Sequence, residues 1–518
     1  MPVNLSYPGV YVEELPGAAR SIVGVATSRT AFLGRALRGP VNEPVQIHSF
    51  GDFARRFGGI WVEAPLGYAL QHYFANGGSD AVIVRLINGG ATSRYALAPE
   101  TGVDPLLIDA ASPGKWGNAL EVFVDHDVRP APEAKPDTVF NLRVEERDPL
   151  TGALLAAELH RNVSVDPASP RHISRVLAQE SALIALPSPF PGSFPLVRPA
   201  RTTSKAARTV DGSDGTALTH SQYDEASLAG SKQGIWALEK TDLFNLLSIP
   251  PYSRDTDVED STWSAALAYC KLRRAMLIVD APSGWKSKDA AVSAARSFAL
   301  ARDENAVLFF PRIKAADPFF ENRLESFAPG GAVAGVIART DATRGIWKAP
   351  AGLEAQLNGV TDLEVPLTDS ENGELNPLGV NCLRAFPTLG RVIWGARTWE
   401  GADSLASEWK YLPVRRLALY IEESLYRGTQ WVVFEPNDTP LWAQIRLNIG
   451  AFMQGLFRQG AFQGSRPQDA YLVKCDSETT TQADIAAGVC NIIVGFAPLK
   501  PAEFVIIKLQ QLAGQTAA

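Results

Sequence analysis

Histidine is scarce and confined to one part of this chain. All six histidines lie at or before His220, so a His-based triad or metal site would have to be built in the N-terminal half. Cysteine is equally sparse. Cys270, Cys382, Cys475 and Cys490 are far apart in sequence and form no C-x-x-C pair. That argues against a zinc site and a disulfide framework, and it fits a reducing compartment. There is no G-x-x-x-x-G-K-[ST] P-loop and no G-x-S-x-G nucleophile elbow. No uninterrupted apolar run approaches membrane-span length. Residues 1–14 carry neither a basic stretch nor an apolar h-region, so no secretory signal is expected and folding in the cytoplasm is. Basic excess is missing too: 49 Lys and Arg face 56 Asp and Glu, a formal net charge of -7. A nucleic-acid partner is therefore not expected, and nothing calls for a cofactor.

What is present is an ordinary globular balance. Of 518 residues, 46% are hydrophobic and 20% charged, enough for several domains with sizeable cores. Residues 10–14 read as an isolated strand, with Val10 and Val12 alternating with Tyr11 and Glu13 between Pro-Gly punctuation marks. An α/β segment follows over residues 21–90. It has a strand at 31–34, a helix at 49–57 capped by Ser49, a helix at 64–74 opened by Pro65, and a strand at 81–87. Residues 91–232 change character. Pro-rich pieces, a polar tract at 202–232 and strand-like runs at 120–124 and 138–144 suggest an inserted, β-rich, peripheral domain with a flexible tail. A helix is expected at 172–186.

The α/β rhythm returns over residues 233–375. Strands are expected at 243–249, 275–279, 306–310 and 335–338, and helices at 261–272 and 290–301, which implies a mostly parallel sheet covered by helices. A last α+β domain is expected over residues 376–500. It opens with paired strands at 385–394 and continues with helices at 414–427 and 440–458. The second of these has Thr439 as its cap and Leu441, Ile445, Ile449, Phe452 and Leu456 as its apolar stripe; Gly450 and Gly455 weaken it. Residues 501–518 form a terminal arm with a strand at 504–509.

Few clusters carry chemistry. Asp125-His126-Asp127 reads as a metal site or a polar strand end. The run Gly330 to Gly335 reads as a phosphate cradle or a tight turn. Arg339, Asp341, Arg344 and Lys348 beside Trp347 read as an anion site, an ion-pair network or an interface, with structure or interface favoured. Strands isolated at both chain ends leave backbone groups that need a partner, in the same subunit or in a neighbour. Arms reaching two different neighbours would make head-to-tail contacts, which close into rings or run on as helical filaments. Arg446, Arg458, Arg466 and Lys474 face a single acid, Asp469, across residues 439–474. This locally basic stretch is either a solvated face or a patch for an acidic partner.

Several dense runs have a familiar look: Ala338-Arg339-Thr340-Asp341, Arg344-Gly345-Ile346-Trp347-Lys348, Trp394-Gly395-Ala396-Arg397-Thr398, Trp431-Val432-Val433-Phe434-Glu435-Pro436-Asn437-Asp438, and Pro498-Leu499-Lys500-Pro501. With Tyr7-Pro8-Gly9-Val10-Tyr11-Val12-Glu13-Glu14, they resemble the contractile tail sheath family of phages and phage-like injection machines. The resemblance implies a structural subunit, not an enzyme. Such a subunit polymerises around an inner tube and contracts from a metastable extended state to drive the tube through an envelope. It implies a central domain of subtilisin-like arrangement, an outward-facing insertion, and a C-terminal domain lining the sheath interior. Val10, Tyr11, Val12 and Glu13, with Phe504, Val505, Ile506 and Ile507, would be the exchanged arm strands; Arg446 and Arg458 would touch the tube. The implied partners are further copies or paralogues of the sheath, an inner tube protein, and baseplate and terminator or cap proteins, without direct membrane insertion. A hydrolase-like α/β enzyme and a static, non-contracting tube or shell subunit are the alternatives.

Overall fold

The computed structural model describes residues 21–129 and 135–506. The chain divides into two compact units. The larger comprises residues 28–340 and 350–407. The smaller comprises the described residues up to 27, then 341–349 and 408–506.

The larger unit is built on an eight-stranded sheet. Its order across the sheet is Gly390–Ile393, Val380–Phe386, Ala306–Phe310, Met276–Asp280, Leu246–Ser248, Thr30–Gly34, Ala81–Arg85 and Val45–Ile47. The six inner strands are mutually parallel, and the two edge strands run antiparallel to their neighbours. Strands such as Ala81–Arg85 and Ala306–Phe310 are buried along their whole length, as a sheet covered on both faces requires. The helices Asp260–Leu272 and Lys288–Arg296 supply Trp263, Tyr269, Ala291 and Ala295 to one core layer. On the other face Tyr73, from the helix Pro65–Ala75, meets Phe32 edge-on at 5.3 Å.

Most helix starts follow local chemistry. The Ser49 hydroxyl accepts from the Asp52 amide at 3.1 Å and opens the helix Phe50–Phe57. Pro65 sits in the first turn of its helix. The paired strands expected at 385–394 exist as a hairpin, but Val380–Phe386 pairs with Ala306–Phe310. They therefore close the large sheet, and the smaller unit resumes only at Glu408.

The strand expected at 335–338 is corrected: these residues lie inside the helix Gly330–Arg344. An apolar run buried on all sides has no period that tells strand from helix. The glycines set how closely this helix packs on its neighbour. A Cβ at Gly331 would stand 2.1 Å from the Ala69 carbonyl oxygen, and one at Gly335 would stand 2.4 Å from that of Tyr73. Two helices can approach this closely only if one carries no side chain there.

Residues 94–210 carry their own core, with Tyr95, Ile108, Trp116, Phe140 and Val163 buried together. One sheet has the order Ala207–Val210, Arg94–Leu97, Leu106–Ala110, Ile184–Ala185; the other is Leu120–Asp125, Val139–Arg147, Leu154–Ser164. The helix expected at 172–186 is shorter, Ile173–Glu180, because the chain turns at Ser181 into the strand Ile184–Ala185. The polar tract at 202–232, expected as a flexible tail, is ordered here. Ala207–Val210 pairs with residues 94–96, and Leu218 and Tyr223 are already in the core of the large sheet. The insertion enters and leaves through a narrow neck, where Asn88 bridges Thr216 and Ala91 bridges Ser213.

The Trp394–Thr398 run serves this unit. Arg397 is fully buried, and its Nη1 donates to the Asn376 carbonyl at 2.9 Å and to Asp403 Oδ1 at 3.0 Å. Asn381 Nδ2 donates to the Arg397 and Leu308 carbonyls. Gly395 lets the chain pass Asn381, whose Oδ1 would be 2.8 Å from an added Cβ.

Candidate functional site

The smaller unit rests on two helices, Leu412–Gly428 and Thr439–Arg458. Asp438, not Thr439, caps the second: its carboxylate accepts from the Leu441 amide at 3.0 Å. Asp is as good an N-cap as Thr, and here it stands one residue earlier. The buried stripe includes Leu441, Trp442, Ile445, Ile449, Met453 and Leu456, with Phe452 half-buried.

Residues 21–27 are laid along the first helix. The Val25 amide donates to Ser424 Oγ at 3.2 Å, and Arg416 Nη2 donates to the Thr27 carbonyl at 3.0 Å. Gly24 is needed there, since a Cβ would overlap the Tyr420 hydroxyl.

The charged run around Trp347 is divided between the two units. Arg339 belongs to the larger unit, where its guanidinium donates to the carbonyls of Asn76 (3.0 Å) and Gln356 (2.6 Å); burial lowers its pKa. Asp341 belongs to the smaller unit and pairs with both terminal nitrogens of Arg416, at 2.8 and 2.5 Å. These two side chains are only 3% and 2% exposed, so the pair is desolvated. Ile346 enters the core of the smaller unit, and Trp347 packs against it half-buried. Lys348 Nζ donates to the Ala349 carbonyl, and Arg344 lies exposed.

Arg446 and Arg458 stand twelve positions apart on the long helix, about a third of a turn out of phase. Arg446 is half-buried and donates to the Cys475 carbonyl. Arg458 is exposed in the last turn, where a cation complements the helix dipole. With Ala443, Leu447 and Ala451 it forms the exposed face, on which Leu447 is 63% exposed. Gly450 lies on the flank of that face. A Cβ there would meet nothing within 4 Å, so packing within the chain does not require glycine.

A two-stranded antiparallel sheet, Tyr471–Lys474 with Ile493–Phe496, packs against these helices. Tyr471, Val473, Val494 and Phe496 face the core, while Leu472 and Ile493 are exposed. Among the described residues no third strand joins it. Phe504, Val505 and Ile506 are in no strand and are exposed by 73%, 80% and 81%. The strand expected at 504–509 is not formed over its described part, residues 504–506, which pair with no described strand. Val10, Tyr11, Val12, Glu13 and Ile507 lie outside the described residues. The loop before the long helix presents Val433 and Phe434, 63% and 103% exposed, with Phe434 at a φ of 71°. Such an apolar, left-handed position is uncommon. It was missed by sequence reasoning, since exposure has no signature in a run this apolar.

The remaining candidates are filled by the protein itself. Asp125 Oδ1 accepts from Asn141 Nδ2 and the Asp127 amide, and His126 Nε2 bonds the Pro199 carbonyl. The Gly330 amide, at the head of its helix, donates to Asp280 Oδ1 at 2.7 Å. The anion position at that helix end is therefore taken by a fixed carboxyl. Burial pushes the Asp280 carboxyl up to about 7, against the pull of Arg312 and the Gly330 amide. Among the described residues no group of three or more His, Cys, Asp or Glu side chains is placed to hold a metal. No described helix is long and apolar enough to cross a membrane.

Residues 228–399 match the model of the phage tail sheath protein central domain, and residues 405–511 match that of the phage tail sheath C-terminal domain. These matches together span more than half of the chain, which belongs to the phage tail sheath family. It is similar to the tail sheath protein of Vibrio phage KVP40, 28% identical over 190 residues, covering 36% of this chain and 26% of that protein. The chain thus spans about a quarter of that relative's length. A putative prophage major tail sheath protein of Pseudomonas aeruginosa is 26% identical over 289 residues, 54% of this chain and 68% of the relative. The fold is shared with the contracted helical sheath of the anti-feeding prophage, at TM-score 0.58 and 23% identity, covering 98% of this chain and 99% of the other. It is also shared with the sheath tail protein of Listeria innocua, at TM-score 0.60 and 12% identity, covering 92% and 96%.

Proposed function

We propose that this chain is the structural subunit of a contractile sheath. Copies polymerise into stacked rings around an inner tube. The sheath contracts from a metastable extended state and drives the tube through a target envelope, without enzymatic chemistry. The observation that carries this reading is the lone two-stranded sheet of the smaller unit, next in sequence to an exposed apolar segment at Phe504–Ile506. Two strands alone are marginal in water. An arm added from a neighbour satisfies open backbone groups and covers apolar side chains at once. Residues 10–13 and 504–507 are the arms, and their head-to-tail exchange extends into a helical assembly.

The central domain is read as subtilisin-like in arrangement, on the strength of its six parallel strands with helices on both faces. The insertion faces outward. The partners are other copies, an inner tube protein, and baseplate and terminator or cap proteins, and assembly begins in the cytoplasm.

The outer face of the helix Thr439–Arg458 is the tube-facing surface. Gly450 supports this, because a glycine inside a helix costs about 1 kcal/mol relative to alanine, and no described residue requires it. Glycine does let another backbone approach closely. Gly450→Ala should therefore raise the stability of the isolated chain by up to about 1 kcal/mol and weaken assembly. Urea titration and sedimentation read the two effects separately, and a stabilised variant that assembles normally would remove Gly450 from the interface.

Electron microscopy of the purified chain, alone and with its tube protein, tests the reading. Hollow tubes are expected. Dispersed particles under both conditions would defeat the proposal. In the same assay Arg458→Glu should reduce co-assembly with the tube; Arg446 is less clean, since its guanidinium also holds the Cys475 carbonyl.

A further inference from the structure

Two of the four cysteines are brought together. Cys475 Sγ and Cys490 Sγ are 3.8 Å apart as thiols. Cys475 follows directly on the strand Tyr471–Lys474, and Cys490 comes shortly before Ile493–Phe496. Lys474 pairs with Ile493, so one further step of the ladder sets Cys475 opposite Ile492. Cys490 then falls on the same face, at the diagonal position, within side-chain reach. The intervening loop holds this arrangement without the sulfurs. Asn491 N donates to Thr480 Oγ1 at 3.0 Å, Val489 N to the Asp484 carbonyl at 2.8 Å, and Asp476 N to Thr479 Oγ1 at 2.9 Å. The short helix Gln482–Ala486 is closed by a Thr481–Asp484 capping box.

We propose that Cys475 and Cys490 are a thiol–disulfide switch that locks the two-stranded sheet of the smaller unit. The oxidant is a small disulfide of the glutathione type. Cys490 is half-buried and Cys475 fully buried, so Cys490 reacts first. Its thiolate, having lost its proton to water, attacks one sulfur of the oxidant. A mixed disulfide forms and one thiol leaves. Cys475 Sγ then attacks the Cys490 sulfur, its proton passes to the departing glutathione sulfur, the internal disulfide forms, and the second thiol leaves. Two protein thiols are oxidised and one small disulfide is reduced to two thiols. Burial beside Cys490 pushes the Cys475 thiol up to about 12, which keeps it from starting the exchange. Cys270 and Cys382 are each buried away from another thiol and serve as internal controls.

The consequence is mechanical. The crosslink closes the connection between the two strands, limits how far that segment can open in the unfolded chain, and ties together the base of the sheet.

The test is incubation of the full-length protein in a mixture of reduced and oxidised glutathione, trapping with N-ethylmaleimide in denaturant so that buried thiols also react, proteolysis and mass spectrometry. A peptide pair joined through Cys475 and Cys490 is expected, lighter by two hydrogen atoms, with Cys270 and Cys382 alkylated. The oxidised protein should melt several degrees higher than the reduced one. Cys475→Ser should retain glutathione on Cys490, and Cys490→Ser should leave Cys475 as a free thiol. Four alkylated cysteines in the wild type, glutathione retained on wild-type Cys490, or a disulfide between two chains would each overturn the proposal.

Discussion

Asp341→Ala is expected to destabilise the smaller unit by about 3–5 kcal/mol, the usual cost of stranding one partner of a buried ion pair. Among the described residues Arg416 would keep the Thr27 carbonyl as its acceptor at 3.0 Å, with its guanidinium shut away from water. Replacing both partners with apolar residues of similar volume should cost far less, because no charge then remains to be desolvated. Asp341→Leu combined with Arg416→Met is the pair to compare. Hydrogen exchange along Leu412–Gly428 reads the effect inside this unit, whatever the larger unit does. An Asp341→Ala protein that exchanges as slowly as the wild type would show that the pair is dispensable. A double variant as loose as the single one would show that the loss comes from shape and not from the stranded charge.

Removal of residues 1–17 should weaken tube formation while leaving the chain folded. The described members of the three cores lie from Ile22 onward, and the truncation removes none of them. It loses the arm that would add to a neighbour's sheet. A hydrogen-bonded strand with apolar side chains is worth more than the 1.4 kcal/mol that corresponds to a tenfold change in affinity. The concentration at which tubes appear should therefore rise at least about tenfold. Circular dichroism and light scattering, with microscopy, separate folding from assembly. Tubes at the wild-type concentration would mean that subunits are held by other surfaces, and strand exchange would have to be abandoned.

Much of the fold was legible where chemistry is local. Ser49, Pro65 and Pro440 marked helix starts because a cap or a proline acts on its own few residues. The alternation of strands and helices pointed to a parallel sheet, which the six inner strands form. What escaped depends on distance or symmetry of burial. Gly330–Arg344 was misread in part because small and branched residues buried all round give no period. Asp341 and Arg416 are 75 positions apart in sequence, and nothing in either neighbourhood announces the other. Cys475 and Cys490 looked unrelated because the strands that align them are joined by a long connection without the short turn that marks a hairpin. The runs that carried the family resemblance prove uneven as site markers. Arg397 and Asp341 are interior, structural charges, whereas Phe434 stands in the open.

The neck at Asn88–Thr216 and Ala91–Ser213 gives the larger unit the plan of a socket and plug. Its two chain crossings lie a single backbone bridge apart, and the plug beyond them carries a separate core. An excision between them leaves ends already positioned for a short splice, but Arg85 of the large sheet also donates to the Pro113 carbonyl and Arg38 pairs with Glu146, so a replacement has to supply partners for both. Such a joint lets a lineage, or a protein engineer, exchange one plug for another of different size or chemistry if those two contacts are kept.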